Sequence, residues 1–220
     1  MKKAILLAAA MGIATFSQAQ FAFPKEIYLN PKTATISKTH KTIAILPVSV
    51  KFIYKTQQFD FDPEAERIAE MNTSTILQSS LYSYLLPKSI KMALEIQDPE
   101  TTNVLLRRAE ISNSAIALTK VELAKILGVD AVVSALYEAE RPVPVIQRHQ
   151  FPAKPPVTAP GAETPAITPV YYITALTLNL NDAPSGTLLW RYYRKVAGSN
   201  SYEITDELIS KMLKDFPYSK

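Results

Sequence analysis

Few side chains in this 220-residue sequence are of the types that catalyse reactions or bind metal ions. It has no cysteine, two histidines and five glycines, which excludes thiol chemistry and thiolate metal sites and argues against Gly-rich phosphate loops. His40 and His149 lie outside the expected helices and strands, without an acidic neighbour and outside any H-E-x-x-H or G-x-S-x-G motif. We therefore predict that both histidines are solvated and that the protein binds no metal or cofactor.

Two carboxylates at the edges of expected strands, Asp98 and Asp130, are the remaining candidates for catalysis. Asp98 precedes Pro99 and Glu100, a pattern typical of a helix N-cap. Asp130 follows Gly128-Val129 at the mouth of a strand, where a carboxylate commonly stabilises a turn. These structural roles are favoured, so we predict no catalytic residue and keep a hydrolase that uses these carboxylates as an alternative.

Capping patterns locate the helices that position these residues. An Asp-Pro start and helical spacing of leucines predict a first helix over residues 63–86, ended by Pro87. Asp98 opens a second helix, and the capping box Thr119–Glu122 opens a third, which ends at Gly128. A final helix near the carboxyl end carries an amphipathic stripe.

Apolar runs and alternating segments predict five strands. They cover residues 42–50, 91–97, 131–137, 170–180 and 187–196. The order is therefore β-α-β-α-α-β-insert-β-β-α, which indicates an α/β fold with a mixed sheet.

The amino-terminal residues predict a signal peptide ahead of this fold. Lys2 and Lys3, a short apolar run and Ser-Gln-Ala predict export, with cleavage after Ala19. We expect an extended lead-in over residues 20–41 and a single α/β domain over 42–220, interrupted by a proline-rich insert over 141–169. Cleavage removes two of the 24 basic residues and none of the 20 acidic ones, leaving a net charge of +2.

The last hairpin offers a candidate partner surface. Alternation puts one set of apolar residues toward the core and leaves a set of aromatic and basic residues facing outward. The candidate residues are Tyr171, Ile173, Arg191, Tyr193, Arg194 and Lys195. Tyr and Arg often anchor protein interfaces. Coverage by another helix, or plain solvation, is the alternative for this face.

Several stretches, taken together, resemble one known group. They are TIAILPVSV, ILQSSLYSYLL, TKVELAKILGVDAVVSALYE and SGTLLWRYYRKVAG, in this order and spacing. From Lys41 to Tyr218, apart from the insert, the chain resembles the CsgG-like group, which includes the curli secretion protein, the TolB amino-terminal domain and penicillin-binding-protein activator lipoproteins. It is most similar to lipoproteins of that group with unknown function. The resemblance implies a periplasmic α/β domain that assembles with itself or docks onto envelope proteins, and carries over no catalytic residue.

The leading hypothesis is a non-catalytic periplasmic accessory protein of the cell envelope. It binds envelope proteins or copies of itself through its sheet face, its proline-rich insert, or both, and a flexible linker is the alternative for the insert. The alternatives are a periplasmic enzyme of the hydrolase type and a structural subunit of an envelope ring. Near-neutral charge and export argue against nucleic acid. Without an apolar segment of about 20 residues or a cysteine, we expect no membrane span and no lipid anchor.

Deleting residues 142–169 is expected to leave the melting temperature nearly unchanged, because this segment holds eight of the 16 prolines and little apolar side chain to bury. Thermal unfolding followed by circular dichroism measures this. A loss of more than about 4 °C, equivalent to about 1 kcal/mol or more for a domain of this size, would show that the insert is packed.

Overall fold

The structure is a computed structural model that describes residues 23–54, 62–110, 118–141, 172–198 and 201–219. In these residues a mixed sheet of seven strands is covered by helices, so the predicted α/β class is confirmed. The predicted insert, apart from its first residue, and the predicted signal peptide lie outside the described residues.

The sheet has the strand order β1-β7-β6-β5-β2-β4, with β3 pairing β5. The strands are β1 (Glu26–Leu29), β2 (Thr42–Ile45), β3 (Ser49–Tyr54), β4 (Glu95–Gln97), β5 (Ala131–Arg141), β6 (Tyr172–Asp182) and β7 (Leu188–Gly198). The helices are α1 (Thr33–Ile36), α2 (Pro63–Met92), α3 (Pro99–Arg108), α4 (Lys120–Leu127) and α5 (Ser201–Met212).

Strand β5 lies at the centre of the sheet and pairs with three others, parallel to β2 and β3 and antiparallel to β6. Where the sequence predicts one strand over residues 42–50, the structure has two, with Pro47 between them. Proline has no N–H to give to the ladder. As a result β2 pairs with the first part of β5 and β3 with the second.

The described part of residues 20–41, for which the sequence predicts an extended lead-in, contains regular secondary structure. Residues Glu26–Leu29 form the edge strand β1, which pairs antiparallel with β7, and Thr33–Ile36 form a helical turn. The Thr33 hydroxyl donates to the Leu189 carbonyl at 2.7 Å, which fixes this segment to the far end of the chain. Because Leu189 is 156 residues away, the sequence around Thr33 gives no indication of this contact.

Helix α2 does not end at Pro87, as the sequence predicts, but continues to Met92. A proline inside a helix costs roughly 3 kcal/mol. Packing on both sides of Pro87 offsets that cost, because Leu85 and Ser89 are buried and the Lys88 ammonium donates to the Leu213 carbonyl at 3.0 Å. Among the described segments, no helix has both the length and the apolar character to cross a membrane.

The buried apolar side chains form two clusters, one on each face of the sheet. The larger cluster joins α2 and α5 to the sheet, and includes Ile43, Leu81, Val133, Leu178, Trp190 and Leu208. The smaller cluster joins α3 and α4 to the opposite face, and includes Ala44, Leu106, Leu123, Leu127 and Val132. Adjacent residues such as Val132 and Val133 point to opposite clusters, as the period of a strand requires.

The predicted capping box is present at the start of α4. The Glu122 amide donates to the Thr119 hydroxyl at 3.2 Å, and the Glu122 carboxylate accepts from the Thr119 amide at 2.7 Å. At the other end Gly128 has a φ of 68°, a left-handed conformation that costs glycine little. Local chemistry thus sets both ends of this helix.

Replacing Thr119 with Ala is expected to lower the free energy of unfolding by about 1 kcal/mol, because the cap hydroxyl is lost. Thr75→Ala is the matched control, since Thr75 is exposed in the interior of α2, where alanine is the better helix former. Urea unfolding of both variants measures the difference. Equal stabilities for the two would contradict the cap assignment.

Candidate interaction surface

The described helices cover only part of one face of the central strands. Strands β5 and β6 pair from Ala131 with Asp182 to Glu140 with Ile173. Helices α3 and α4 pack against this face around Val132, at the beginning of β5. Farther along β5, Leu136 is 36% exposed, so this part of the sheet is open to solvent among the described residues.

The register places four of the predicted surface residues on this open face. In β6 and β7, Ile173 lies opposite Ala197, and Arg191, Tyr193 and Lys195 alternate along β7. Arg191 is exposed, and Ile173, Tyr193 and Lys195 are half-buried. Tyr171 lies outside the described residues.

Polar contacts hold the long basic side chains of this face in place. The Arg191 Nε donates to Asn179 Oδ1 at 2.8 Å. The Lys195 Nζ lies 3.4 Å from Glu140 Oε1 and 5.3 Å from the centroid of the Phe23 ring. Because neighbouring groups already orient these side chains, less conformational entropy is lost when a partner binds them.

Arg194 does not belong to this surface. It lies opposite Leu176, whose side chain is in the larger cluster, so it projects from the core face of the hairpin. Its guanidinium lies 3.7 Å from Glu207 Oε1 on α5. The carboxylate of Glu207 thus gives Arg194 an ionic partner at the border of the core. The sequence of the hairpin alone does not indicate this contact, because Glu207 belongs to α5.

The structure adds two residues that the sequence reasoning missed. Tyr28 on β1 lies opposite Arg191 and is 47% exposed, and Leu136 lies on the same face of β5. A signal for Tyr28 was available, because the β-prone segment EIYL lies between Pro24 and Pro31. We call the following set the open sheet face: Tyr28, Leu136, Ile173, Arg191, Tyr193 and Lys195.

A second exposed apolar region runs along the outward side of α2. It consists of Ile68, Met71, Ile76, Leu86 and Ile90. Between Glu70 and Lys88 the sequence has no charged residue. The exposed large side chains here are aliphatic, whereas the open sheet face also presents tyrosine rings and a guanidinium group.

The prediction that His40 is solvated is wrong. Its side chain is 2% exposed, and Nε2 lies 2.9 Å from Asp182 Oδ1, while Nδ1 hydrogen-bonds the Tyr218 hydroxyl. The other Asp182 oxygen accepts from the amide of Ser185 at 3.0 Å and from its hydroxyl at 2.5 Å. These four residues form the histidine cluster. His149 lies outside the described residues.

The histidine cluster contains the residue types of a hydrolase but not the arrangement. A serine nucleophile needs its hydroxyl bonded to the histidine that takes its proton. Here the Ser185 hydroxyl donates to the Asp182 carboxylate instead, and the His40 ring is closed off from solvent. The cluster therefore fastens the lead-in, the end of β6 and the carboxyl-terminal turn together.

Opposing effects set the pKa values in the histidine cluster. Burial alone would raise the pKa of Asp182, but hydrogen bonds from Ser185 and His40 outweigh it and hold that pKa below its usual value. Burial, reinforced by the nearby carboxylates of Asp182 and Asp130, raises the pKa of Tyr218 far above its ordinary value. The tyrosine therefore stays neutral and the aspartate ionised at neutral pH.

The two carboxylates considered for catalysis have structural partners. Asp98 Oδ2 accepts from the Thr101 amide at 3.0 Å, which confirms it as the cap of α3. Asp130 Oδ2 accepts from the amides of Lys41 and Thr42 at 2.7 and 2.9 Å. Burial would raise the pKa of Asp130, but these donors lower it overall, the opposite of what a general acid needs.

Within the described part of the chain, no three His, Asp or Glu side chains lie close enough together to hold a metal ion.

Comparison with known proteins finds likeness only among solved structures, since no family model and no curated protein matches. The PelC dodecamer from Paraburkholderia phytofirmans is 14% identical, with 89% of this chain and 96% of that chain covered and a TM-score of 0.43. Lipoprotein GNA1162 from Neisseria meningitidis is 11% identical, with 80% and 96% covered and a TM-score of 0.42.

The LpoB C-terminal domain from Escherichia coli is 11% identical, with 76% of this chain and 95% of that chain covered and a TM-score of 0.32. At such identities and TM-scores these likenesses carry no argument about function. The resemblance to the CsgG-like group stays a prediction.

Replacing Asp182 with Asn is expected to make the free energy of unfolding fall less steeply as the pH is lowered. The lowered pKa of Asp182 stabilises the fold above the pKa of an unfolded aspartate, and this stability is lost as the pH falls through the folded-state value. Urea unfolding from pH 7 to pH 3 measures the slope. Ser185→Ala, which removes one donor, should flatten the slope less. A slope in Asp182→Asn equal to that of the parent chain would contradict the assignment.

Proposed function

We propose that this protein is a non-catalytic accessory protein of the cell envelope that binds another protein through the open sheet face. The single observation that supports this most strongly is the part of the sheet that the described helices leave uncovered, where Tyr28 and Tyr193 lie beside Arg191. Such a face, on rigid hydrogen-bonded strands, presents a preformed binding surface.

The side-chain types of the open sheet face support a protein partner. Tyrosine and arginine are enriched among the residues that dominate binding energy, because they bury much area at modest entropic cost. Leu136 on β5 and Ile173 on β6 add aliphatic surface beside these residues. Acidic and basic residues occur on this face in a balanced mixture, which does not favour a polyanion such as nucleic acid. They are Glu26, Lys51, Glu138, Glu140, Arg191 and Lys195.

The structural roles of Asp98, Asp130 and His40 argue against a hydrolase. Asp98 caps a helix, Asp130 holds the start of β2, and His40 is enclosed with its partners. A catalytic group has to reach substrate, and the enclosed His40 does not. The proposal therefore assigns these residues to the scaffold.

The proposed location is the periplasm, after export and cleavage behind Ala19. This rests on the basic, apolar and small residues of the first 19 positions. The proposed partners are envelope proteins or further copies of this chain.

Replacing Arg191 and Tyr193 together with Ala is expected to abolish partner binding and leave the melting temperature within about 2 °C, because both side chains reach solvent on an already formed strand. In-cell cross-linking of the tagged chain, followed by mass spectrometry of the captured proteins, measures binding. The matched control is Arg67→Ala with Ile76→Ala, which trims an arginine and an aliphatic residue from the exposed side of α2.

The proposal predicts a recurrent captured protein with the parent chain and the control, and its loss with the open-face variant. An unchanged capture pattern in a folded open-face variant would overturn the assignment of this face.

A further inference from the structure

Strand β1 is an edge that the described part of the molecule leaves uncovered. It pairs with β7 on one side, and no described strand pairs with it on the other. All four of its residues are exposed. Natural edge strands are usually protected by shortness, by charge, by proline or by a covering element, since a free edge is a template for another strand.

The other free edges of this sheet are protected in these ways. Strand β4 has three residues. Strand β3 has α2 beside it, and its Phe52 amide donates to Glu70 Oε1 at 3.4 Å.

Within β1 the core-side residues, Ile27 and Leu29, are uncharged, and the nearest core-side charge is Lys25, which pairs with Asp215 at 2.9 Å just before the strand. Strand β1 differs from β4 because its apolar side chains are exposed, whereas Ile96 of β4 is buried.

The hydrogen-bond pattern shows which groups of β1 face outward. The Asn30 amide donates to the Leu189 carbonyl at 2.8 Å, toward β7. In an antiparallel ladder the direction alternates along the strand, so Tyr28 also faces β7, while the amides and carbonyls of Ile27 and Leu29 face away from it. The backbone amide and carbonyl of each of these two residues therefore have no strand partner in the described part of the chain.

The side chains of the same two residues are apolar and only half covered. Ile27 and Leu29 lie opposite Tyr192 and Trp190, on the core face of the sheet, yet they are 42% and 53% exposed. The larger cluster thus remains open at this edge. An occupant that fills the ladder and buries these side chains is a β-strand with apolar residues at alternate positions.

We propose that this occupant is β1 of a second copy, paired antiparallel across a two-fold axis at Tyr28. In this register Ile27 exchanges backbone hydrogen bonds with the partner's Leu29, and Leu29 does so with the partner's Ile27. Apolar side chains then lie opposite each other at both positions. If each strand is shifted by one residue, Leu29 lies opposite the partner's Lys25, which places an apolar side chain against a charged one. Pro24 and Pro31 end the pairing on both sides.

The dimer joins two sheets into one and brings two open sheet faces side by side. Tyr28 lies at the two-fold axis, on the same face as Arg191. Because the shared strand is short, the association is weak and concentration-dependent. It stands on the edge of β1 and does not need the proposed function to hold.

A single engineered cysteine tests this register, since the chain has no cysteine of its own. Tyr28→Cys places two thiols at a pair with Cα atoms about 4.5 Å apart, which suits a disulfide. Glu26→Cys is the matched control, on the same strand and face, but the proposed register separates its two copies by about 13 Å. Mild oxidation of the purified full chain, followed by non-reducing electrophoresis, measures dimer formation.

The expected result is at least tenfold faster disulfide formation in Tyr28→Cys than in Glu26→Cys. Equal rates, or a faster control, would overturn the register.

Sedimentation of the parent chain and of Ile27→Pro then tests the edge, because this proline removes an outward-facing amide and leaves the ladder to β7 intact. Dimerisation of the parent at high concentration that is lost in a folded Ile27→Pro supports the proposal. A parent that stays monomeric, or a variant that dimerises equally, overturns it.

Discussion

Strand β5 is the element on which the rest of the structure depends, because it bonds to three other strands. Its eleven residues run parallel to β2 and β3 on one side and antiparallel to β6 on the other. Its alternate residues enter different clusters, so one strand helps to build both hydrophobic layers. The second half of β5 extends beyond the part of the sheet that α3 and α4 cover. The open sheet face lies along the part of β5 that extends beyond them.

Local chemistry made part of this structure predictable. The caps at Asp98 and Thr119 and the left-handed Gly128 depend on contacts within a few residues, and each is present. The alternation of the last hairpin likewise gave the outward positions of Ile173, Arg191, Tyr193 and Lys195. What failed depends on distant partners. Pro87 remains inside α2 because of packing that a local pattern does not contain.

The histidine cluster shows most clearly why the rest was not predictable. His40 meets Asp182 and Tyr218 across separations of 142 and 178 residues, and its sequence neighbours include no acid. Arg194 is similar, since its partner Glu207 belongs to another element. His40, Asp182 and Tyr218 come from remote segments and join these segments where they are enclosed. Tyr28, Arg191 and Tyr193 instead lie on the open sheet face.

The position of Phe216 sets the order in which this chain can fold. Its ring is fully buried and meets Trp190 edge-on at 5.4 Å, and Tyr218 beyond it reaches His40 near the beginning of the domain. A nascent chain has made β1 and β2 long before these aromatic residues emerge, so its larger hydrophobic layer stays open until almost the whole of the domain has been synthesised. Folding follows synthesis, and contacts of such long sequence separation close slowly. Until then the larger cluster is incomplete, and apolar side chains that it later buries stay exposed.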